Sequence, residues 1–317
     1  TGSGMTIATP SPVPAISNAH LGDGYNDTIR FDFGQVVNPI GNNNPTPQTI
    51  VVDVVARLVD HTDNANGDEL TNNASVQFGP GLSGTAQAQV DVVEPLLDIQ
   101  KSSPTTTGQA GDTANFTVTV QHLPGSNMQA RALRILDVLS SPSGLALNLA
   151  SVTASVAGTG CGLVPPPPAV VDNSAGNSVD VSVDYLPLDC VLSITYSATL
   201  QSDVVVNTDI TNTAALTWHS ITPGDPAGPG RDDSDNDGHV IRVSSPGMVK
   251  QVHAVSPDIG AGQLGVAQDV PIGGLVTWRF SVDFPAGDSL DAVVYDQLPV
   301  NNVSFDVVSS RIVAVGA

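Results

Sequence analysis

Lys101 and Lys250 are the only two lysines in a chain of 317 residues. Each alternates with apolar neighbours at period two: Leu97, Ile99 and Lys101 in one run, Met248, Lys250 and Val252 in the other. Successive side chains of a strand point to opposite faces, so both ammonium groups are predicted to stand on a face directed into a core. Two more polar residues fall in registers of the same kind. Asp137 alternates with Leu133, Ile135 and Leu139, and Asn212 with Ile210, Ala214, Leu216 and Trp218. Each has a counterpart: Asp296 alternates with Val294 and Leu298, and Asn72 with Leu70, Ala74, Val76 and Phe78.

A lysine, an aspartate and an asparagine on one apolar face are the components of an intramolecular isopeptide bond. Burial disfavours the ammonium ion and makes the neutral amine available as a nucleophile. Burial also favours the neutral form of a carboxyl group, which then polarises the asparagine carbonyl and carries the proton that leaves with ammonia. The fold supplies proximity. Two plainer readings satisfy the same pattern. One is a buried Lys–Asp ion pair with the asparagine bonded to nearby backbone; the other is a one-residue slip of register that leaves all three in water.

The elements that must position these residues recur along the chain. The lysine run is followed by Ala110-Gly-Asp-Thr-Ala-Asn-Phe-Thr-Val-Thr-Val120 in one place and by Ile272-Gly-Gly-Leu-Val-Thr-Trp-Arg-Phe-Ser-Val282 in the other. Leu133–Leu139 matches Ala292–Leu298, and Leu70–Phe78 matches Ile210–Trp218. The order never changes, so the chain is read as a tandem array with a period of about 140 to 160 residues. Residues 1–94 carry the back part of a repeat, 95–245 a complete one and 246–317 the front part. Within the complete repeat, strands are predicted at Leu96–Lys101, Thr113–Gln121, Ala132–Leu139, Val152–Val156, Ser178–Tyr185, Val191–Leu200, Asn212–Trp218 and His239–Val243. Gly, Pro, Asn and Asp clusters separate them, with a polyproline loop at Pro165–Pro168. The predicted fold class is all-β: tandem immunoglobulin-like β-sandwiches, one complete repeat flanked by two partial ones.

Composition narrows the function. A formal charge of −21 disfavours nucleic acid and anionic membrane surfaces as partners. No apolar run reaches the roughly 18 residues that a spanning helix needs. The first residues, Thr1-Gly-Ser-Gly, suggest a mature protein or an excerpt from a longer one. Cys161 and Cys190 flank strand-like runs and are either two thiols or, in an exported protein, a disulfide.

Asp232-Asp-Ser-Asp-Asn-Asp-Gly238 is the second candidate site. Asp233, Asp235 and Asp237 ahead of a glycine could offer hard oxygen ligands to calcium from one side of a tight loop. Val243 occupies the position where an EF-hand needs glutamate, so the choice lies between a looser calcium site and a solvated acidic loop. The six histidines lack metal-ligand spacing and no nucleophile motif is present, so no enzyme is expected.

The segments Leu97-Asp-Ile-Gln-Lys101, Ala110-Gly-Asp-Thr113, Leu136-Asp-Val-Leu139 and Thr211-Asn-Thr-Ala214 together resemble the conserved-repeat family called domain of unknown function eleven. They also resemble the isopeptide-forming domains of fimbrial and surface proteins. The resemblance spans nearly the whole chain. It implies tandem arrays on secreted bacterial surface proteins, a structural role, and cross-linking roles for Lys101, Asp137 and Asn212. The expected function is therefore a segment of an extracellular stalk, fibre or filament, with neighbouring repeats or further copies joined head to tail as partners. The alternative is an adhesin-type module that binds a glycan or a protein, which predicts an exposed aromatic cluster around Trp218 or Trp278.

Overall fold

The computed structural model describes residues 5–18, 25–38, 49–79, 81–139, 144–162, 167–223, 230–256, 270–298 and 306–312. Pro165 and Pro166 of the polyproline run lie outside them. The chain divides into two compact units, Thr1–Arg57 and Leu58–Ala317. The first contains β1 (Thr6–Ile7), β2 (Ala15–Ser17), β3 (Thr28–Arg30) and β4 (Val36–Val37), paired antiparallel as β1–β4 and β2–β3.

The second unit opens with a hairpin of β5 (Glu69–Phe78) and β6 (Gly81–Asp91). A sandwich follows, built from β7 (Leu97–Ser102), β8 (Thr107–Gly108), β9 (Thr113–His122), β10 (Ala130–Val138), β11 (Leu145–Gly158), β12 (Val170–Asp172), β13 (Ser178–Leu186), β14 (Cys190–Leu200), β15 (Asp209–His219) and β16 (Asp232–Val243). A second hairpin, β17 (Gly247–Ser256) with β18 (Leu275–Asp283), completes the described strands. The fold is all-β.

Alternation of apolar and polar residues makes the sandwich. One sheet runs β11-β14-β9-β7 and the other β12-β13-β10-β15-β16-β8. Their inner faces meet in a core that includes Ile99, Phe116, Val118, Leu133, Ile135, Val181, Ile194, Leu216 and Ile241. Burying a side chain of this size contributes about 1.5–3 kcal/mol, so a one-residue slip that turned β7 or β15 over would forfeit several such terms.

The strands run longer than expected at two places. β11 spans Leu145–Gly158 where only Val152–Val156 alternates clearly. β16 begins at Asp232, seven residues before the predicted His239, so the acidic run is strand and not loop. Trp218 is buried, with its indole N–H donated to the Pro95 carbonyl at 3.2 Å, so it offers no exposed anchor to a ligand.

Cys161 and Cys190 form a disulfide with a Cα–Cα distance of 5.6 Å. Gly158 and Gly160 allow it. A Cβ at either position would come within 2.1 or 1.8 Å of the Asp189 or Leu188 carbonyl oxygen, so only glycine lets the end of β11 pass this close to the start of β14.

Polar contacts hold neighbouring segments to the sandwich. Arg231 pairs with Asp60 and Glu94 and donates to the carbonyls of His61 and Asn64, all beside the start of the sandwich. At the other side, the amide of Val206 donates to the Asp288 carbonyl at 3.0 Å and that of Asp288 to the Val204 carbonyl at 2.8 Å.

Candidate functional site

Strand pairing brings five side chains together from both sheets. On the inner face of the four-stranded sheet, Lys101 of β7 lies opposite Val118 of β9, and Phe116 of β9 lies opposite Tyr196 of β14. On the facing sheet, Asp137 of β10 lies opposite Ala214 of β15, and Asn212 stands two residues further along the same face. Lys101, Asp137 and Asn212 are the buried polar or charged residues of the core, so their registers are not slipped.

The polar atoms form one connected chain. Lys101 Nζ donates to Asp137 Oδ2, and the Tyr196 hydroxyl donates to the same oxygen. Asn212 Nδ2 donates to the Tyr196 hydroxyl oxygen at 2.9 Å. The second oxygen of Asp137, Oδ1, and the carbonyl Oδ1 of Asn212 are both buried with no hydrogen-bond partner. An unsatisfied buried acceptor typically costs about 1–3 kcal/mol, so two in one cluster require an explanation.

Aromatic rings wall the lysine. Its Nζ sits 5.2 Å from the Phe116 ring centroid and 5.7 Å from that of Tyr196, and the two rings stack at 5.1 Å. Burial lowers the Lys101 pKa from 10.5 to about 8, against the opposing pull of Asp137 and, more weakly, Asp237. The Tyr196 phenol moves the other way. Burial, then the Asp137 charge, pushes it far above its ordinary value, so it stays protonated and serves as a donor.

Tyr196 is the residue that reading by alternation passes over. It fits the apolar register of Leu192, Ile194, Ala198 and Leu200. The available signal is that a core tyrosine still needs a partner for its hydroxyl, and Asp137 and Asn212 provide it.

The acidic run has a different task from the expected one. Asp235 and Asp237 face β7 from the neighbouring edge of the other sheet: Asp235 Oδ2 accepts the Ile99 amide at 3.2 Å, and Asp237 Oδ2 accepts the Lys101 amide at 2.6 Å. The run through Asp233, Asp235 and Asp237, read from the sequence as either a looser calcium site or a solvated acidic loop, is an extended strand. Two of the carboxylates already satisfy amides of an edge strand. Among the described residues no group of three or more His, Cys, Asp or Glu could hold a metal ion.

The two flanking hairpins and the segment after β18 hold the counterpart residues separately. Lys250 of β17 pairs with Asp296, with its Nζ 5.6 Å from the Trp278 ring, and both members of the pair are partly exposed. Asn72 is exposed on β5, opposite Ala88 of β6.

No family model matches the chain, and no curated protein does. Solved structures of pilins are similar in part. The major pilin subunit of Bacillus cereus is 10% identical over 68% of this chain and 64% of its own, with a TM-score of 0.35. A 35 kDa C-terminal fragment of the major pilin of Streptococcus agalactiae is 13% identical over 49% of this chain and 58% of its own, at 0.33. The full-length major pilin of Corynebacterium diphtheriae is 16% identical over 52% and 38%, at 0.32. The chain spans less than two thirds of the length of each.

Proposed function

We propose that this chain is a structural segment of an extracellular stalk, fibre or filament on a bacterial surface, and that Lys101 and Asn212 form an isopeptide bond in its core. The observation that carries this reading is the pair of orphaned acceptors, Asp137 Oδ1 and Asn212 Oδ1, beside a lysine whose ammonium is destabilised by burial. A plain ion pair leaves both oxygens unsatisfied. A carboxyl proton on Asp137 shared with the Asn212 carbonyl serves both.

The reaction balances without any outside reagent. The Lys101 ammonium passes one proton to Asp137, leaving a neutral amine and a carboxylic acid. The acid polarises the Asn212 carbonyl, and Nζ attacks Cγ. A Cγ–Nζ bond forms, the Cγ–Nδ2 bond breaks, and the second amine proton leaves with Nδ2 as ammonia. Asp137 ends as the carboxylic acid. Tyr196 holds the amide nitrogen through its hydroxyl oxygen and keeps the leaving group oriented.

The product suits a load-bearing role. β7 is the first strand of the sandwich and β15 the last but one, and they belong to different sheets. A bond from Lys101 to Asn212 carries tension directly between the sheets, so the chain from β8 to β14 is spared. The Cys161–Cys190 disulfide closes a further loop inside that protected span. Digestion followed by mass spectrometry tests the reading. A branched species joining the Lys101 and Asn212 peptides is expected, and recovery of the two as separate unmodified peptides contradicts it.

A further inference from the structure

Two connectors of the chain are built alike. Each runs from a buried valine to a proline over the same span: Val92-Val-Glu-Pro95 ahead of β7 and Val243-Ser-Ser-Pro246 ahead of β17. At the offset that relates Asn72 to Asn212, Gly67 corresponds to Asn207 and Asp68 to Thr208. Their backbone bonds correspond as well. The Gly67 amide donates to the Val92 carbonyl at 2.9 Å and the Val92 amide to the Asp68 carbonyl at 2.8 Å. In the second place, the Asn207 amide donates to the Val243 carbonyl at 3.1 Å and the Val243 amide to the Thr208 carbonyl at 2.8 Å. Gly67 and Asn207 both take positive φ, 90° and 62°, which glycine and asparagine tolerate best.

Each of these turns then meets the following repeat at the same loop, the one after its second strand. At the first, the Asn66 side chain donates to the Gly125 carbonyl in the loop after β9 at 3.1 Å and accepts the Glu94 amide at 3.0 Å. Asn127 of that loop also accepts the Glu94 amide, at 3.1 Å, and Arg231 pairs with both Asp60 and Glu94. At the second, Val206 holds the place of Asn66. Its amide donates to the Asp288 carbonyl in the loop after β18 at 3.0 Å, and the Asp288 amide returns a bond to the Val204 carbonyl at 2.8 Å. Ala286 of that loop accepts the Ala110 amide at 3.0 Å. Val204 and Val206 are buried. Gly287 allows the approach, since its φ is 128° and a Cβ there would stand 2.6 Å from the Val204 carbonyl oxygen.

We infer that successive repeats are held by one recurring docked joint, in which the turn ahead of the asparagine strand of one repeat seats on the loop after the second strand of the next. Repeats joined by a bare linker move freely; here the loops on either side of each connector are bonded to one another, and its proline narrows its backbone further. The connectors are therefore not hinges. A fibre built this way keeps one orientation between neighbours and holds its reach without an outside partner. The joint rests on the tandem-repeat reading of the sequence and is independent of the Lys101–Asn212 bond.

Hydrogen exchange on the 317-residue chain, read by mass spectrometry, tests it. The amides of Glu94 at the first joint and of Val206 and Asp288 at the second are expected to exchange roughly tenfold or more slowly than in a free chain. Exchange at the free-chain rate at both places overturns the joint, and protection at only one overturns its recurrence. Gly287→Val should release Val206 and Asp288 together while the β14 amides stay protected; unchanged protection at Val206 contradicts the contact. A second variant serves should the valine unfold the β17–β18 hairpin. Val205 and Asp288 are bridge partners, so Val205→Cys with Asp288→Cys is expected to form a disulfide within one chain, alongside Cys161–Cys190. Recovery of the two new cysteines as free thiols under oxidising conditions overturns the joint.

Discussion

Tyr196 and Asp137 are joined through the carboxylate oxygen that also receives Lys101, which leaves the other carboxylate oxygen buried without a hydrogen-bond partner. Tyr196→Phe keeps the ring stacked on Phe116 but removes the hydroxyl oxygen that accepts the Asn212 amide. The variant should fold. Before cross-linking it should lose about 1–3 kcal/mol, and bond formation should slow by roughly tenfold or more. A time course of ammonia loss after refolding checks this; an unchanged rate would remove Tyr196 from the chemistry.

The aspartate and the lysine should respond differently to removal. Asp137→Ala leaves a buried ammonium without its partner and should cost about 3–5 kcal/mol as well as abolishing the bond. Lys101→Met also abolishes the bond but leaves the buried Asp137 carboxyl with the Tyr196 hydroxyl as its remaining donor, so it should cost less than Asp137→Ala, about 1–3 kcal/mol. Denaturant titration of the two variants beside Asn212→Ala, which cannot cross-link, measures the difference.

The pH dependence of that unlinked Asn212→Ala chain follows from Lys101. Its folded pKa of about 8 lies below the unfolded value of 10.5, so between these limits the unfolded chain binds more protons than the folded one. Stability should therefore rise with pH across that window and be flat below it, where the lysine is charged in both states. In the linked protein the amide does not titrate, and this contribution disappears. Melting curves from pH 7 to 10.5 on both proteins read the contrast.

Chelation should have no effect on the melting temperature, because Asp235 and Asp237 hold the β7 amides directly. Asp237→Ala should instead cost about 1–3 kcal/mol by releasing the Lys101 amide. A melting point lowered by chelator and restored by calcium would contradict the assignment.

The disulfide and the Lys101–Asn212 pair lie at separate places in the sandwich, and the proposed bond should act independently of the disulfide. Reduction of Cys161–Cys190 should lower stability by roughly 3–4 kcal/mol on the loop-entropy estimate and leave the ammonia loss intact. Denaturation with and without reductant, on linked and unlinked protein, gives the four values needed.

Much of this was legible in alternation alone. Lys101, Asp137 and Asn212 stand out because a charge or amide in a period-two apolar register has few ways to be satisfied. Tyr196 did not stand out, since its ring fits the register and only its hydroxyl betrays a polar role. The run Asp232–Gly238 read as a loop because its composition is that of turns and ion sites. Its alternation becomes visible only when β7 is placed beside it, a contact between residues 136 apart in sequence. β11 was underestimated for a related reason: it edges its sheet, with Asn148, Leu149 and Ala150 exposed, so it shows little of the periodicity that buried strands require.

The most direct measurement is the intact mass of the 317-residue Lys250→Ala chain, reduced and denatured, in which Lys101 is the sole remaining lysine. The account predicts a mass one ammonia below that of the sequence, with the deficit abolished by a further Lys101→Ala, Asp137→Ala or Asn212→Ala change. A mass equal to that of the sequence would contradict it and leave Lys101 and Asp137 as a buried ion pair.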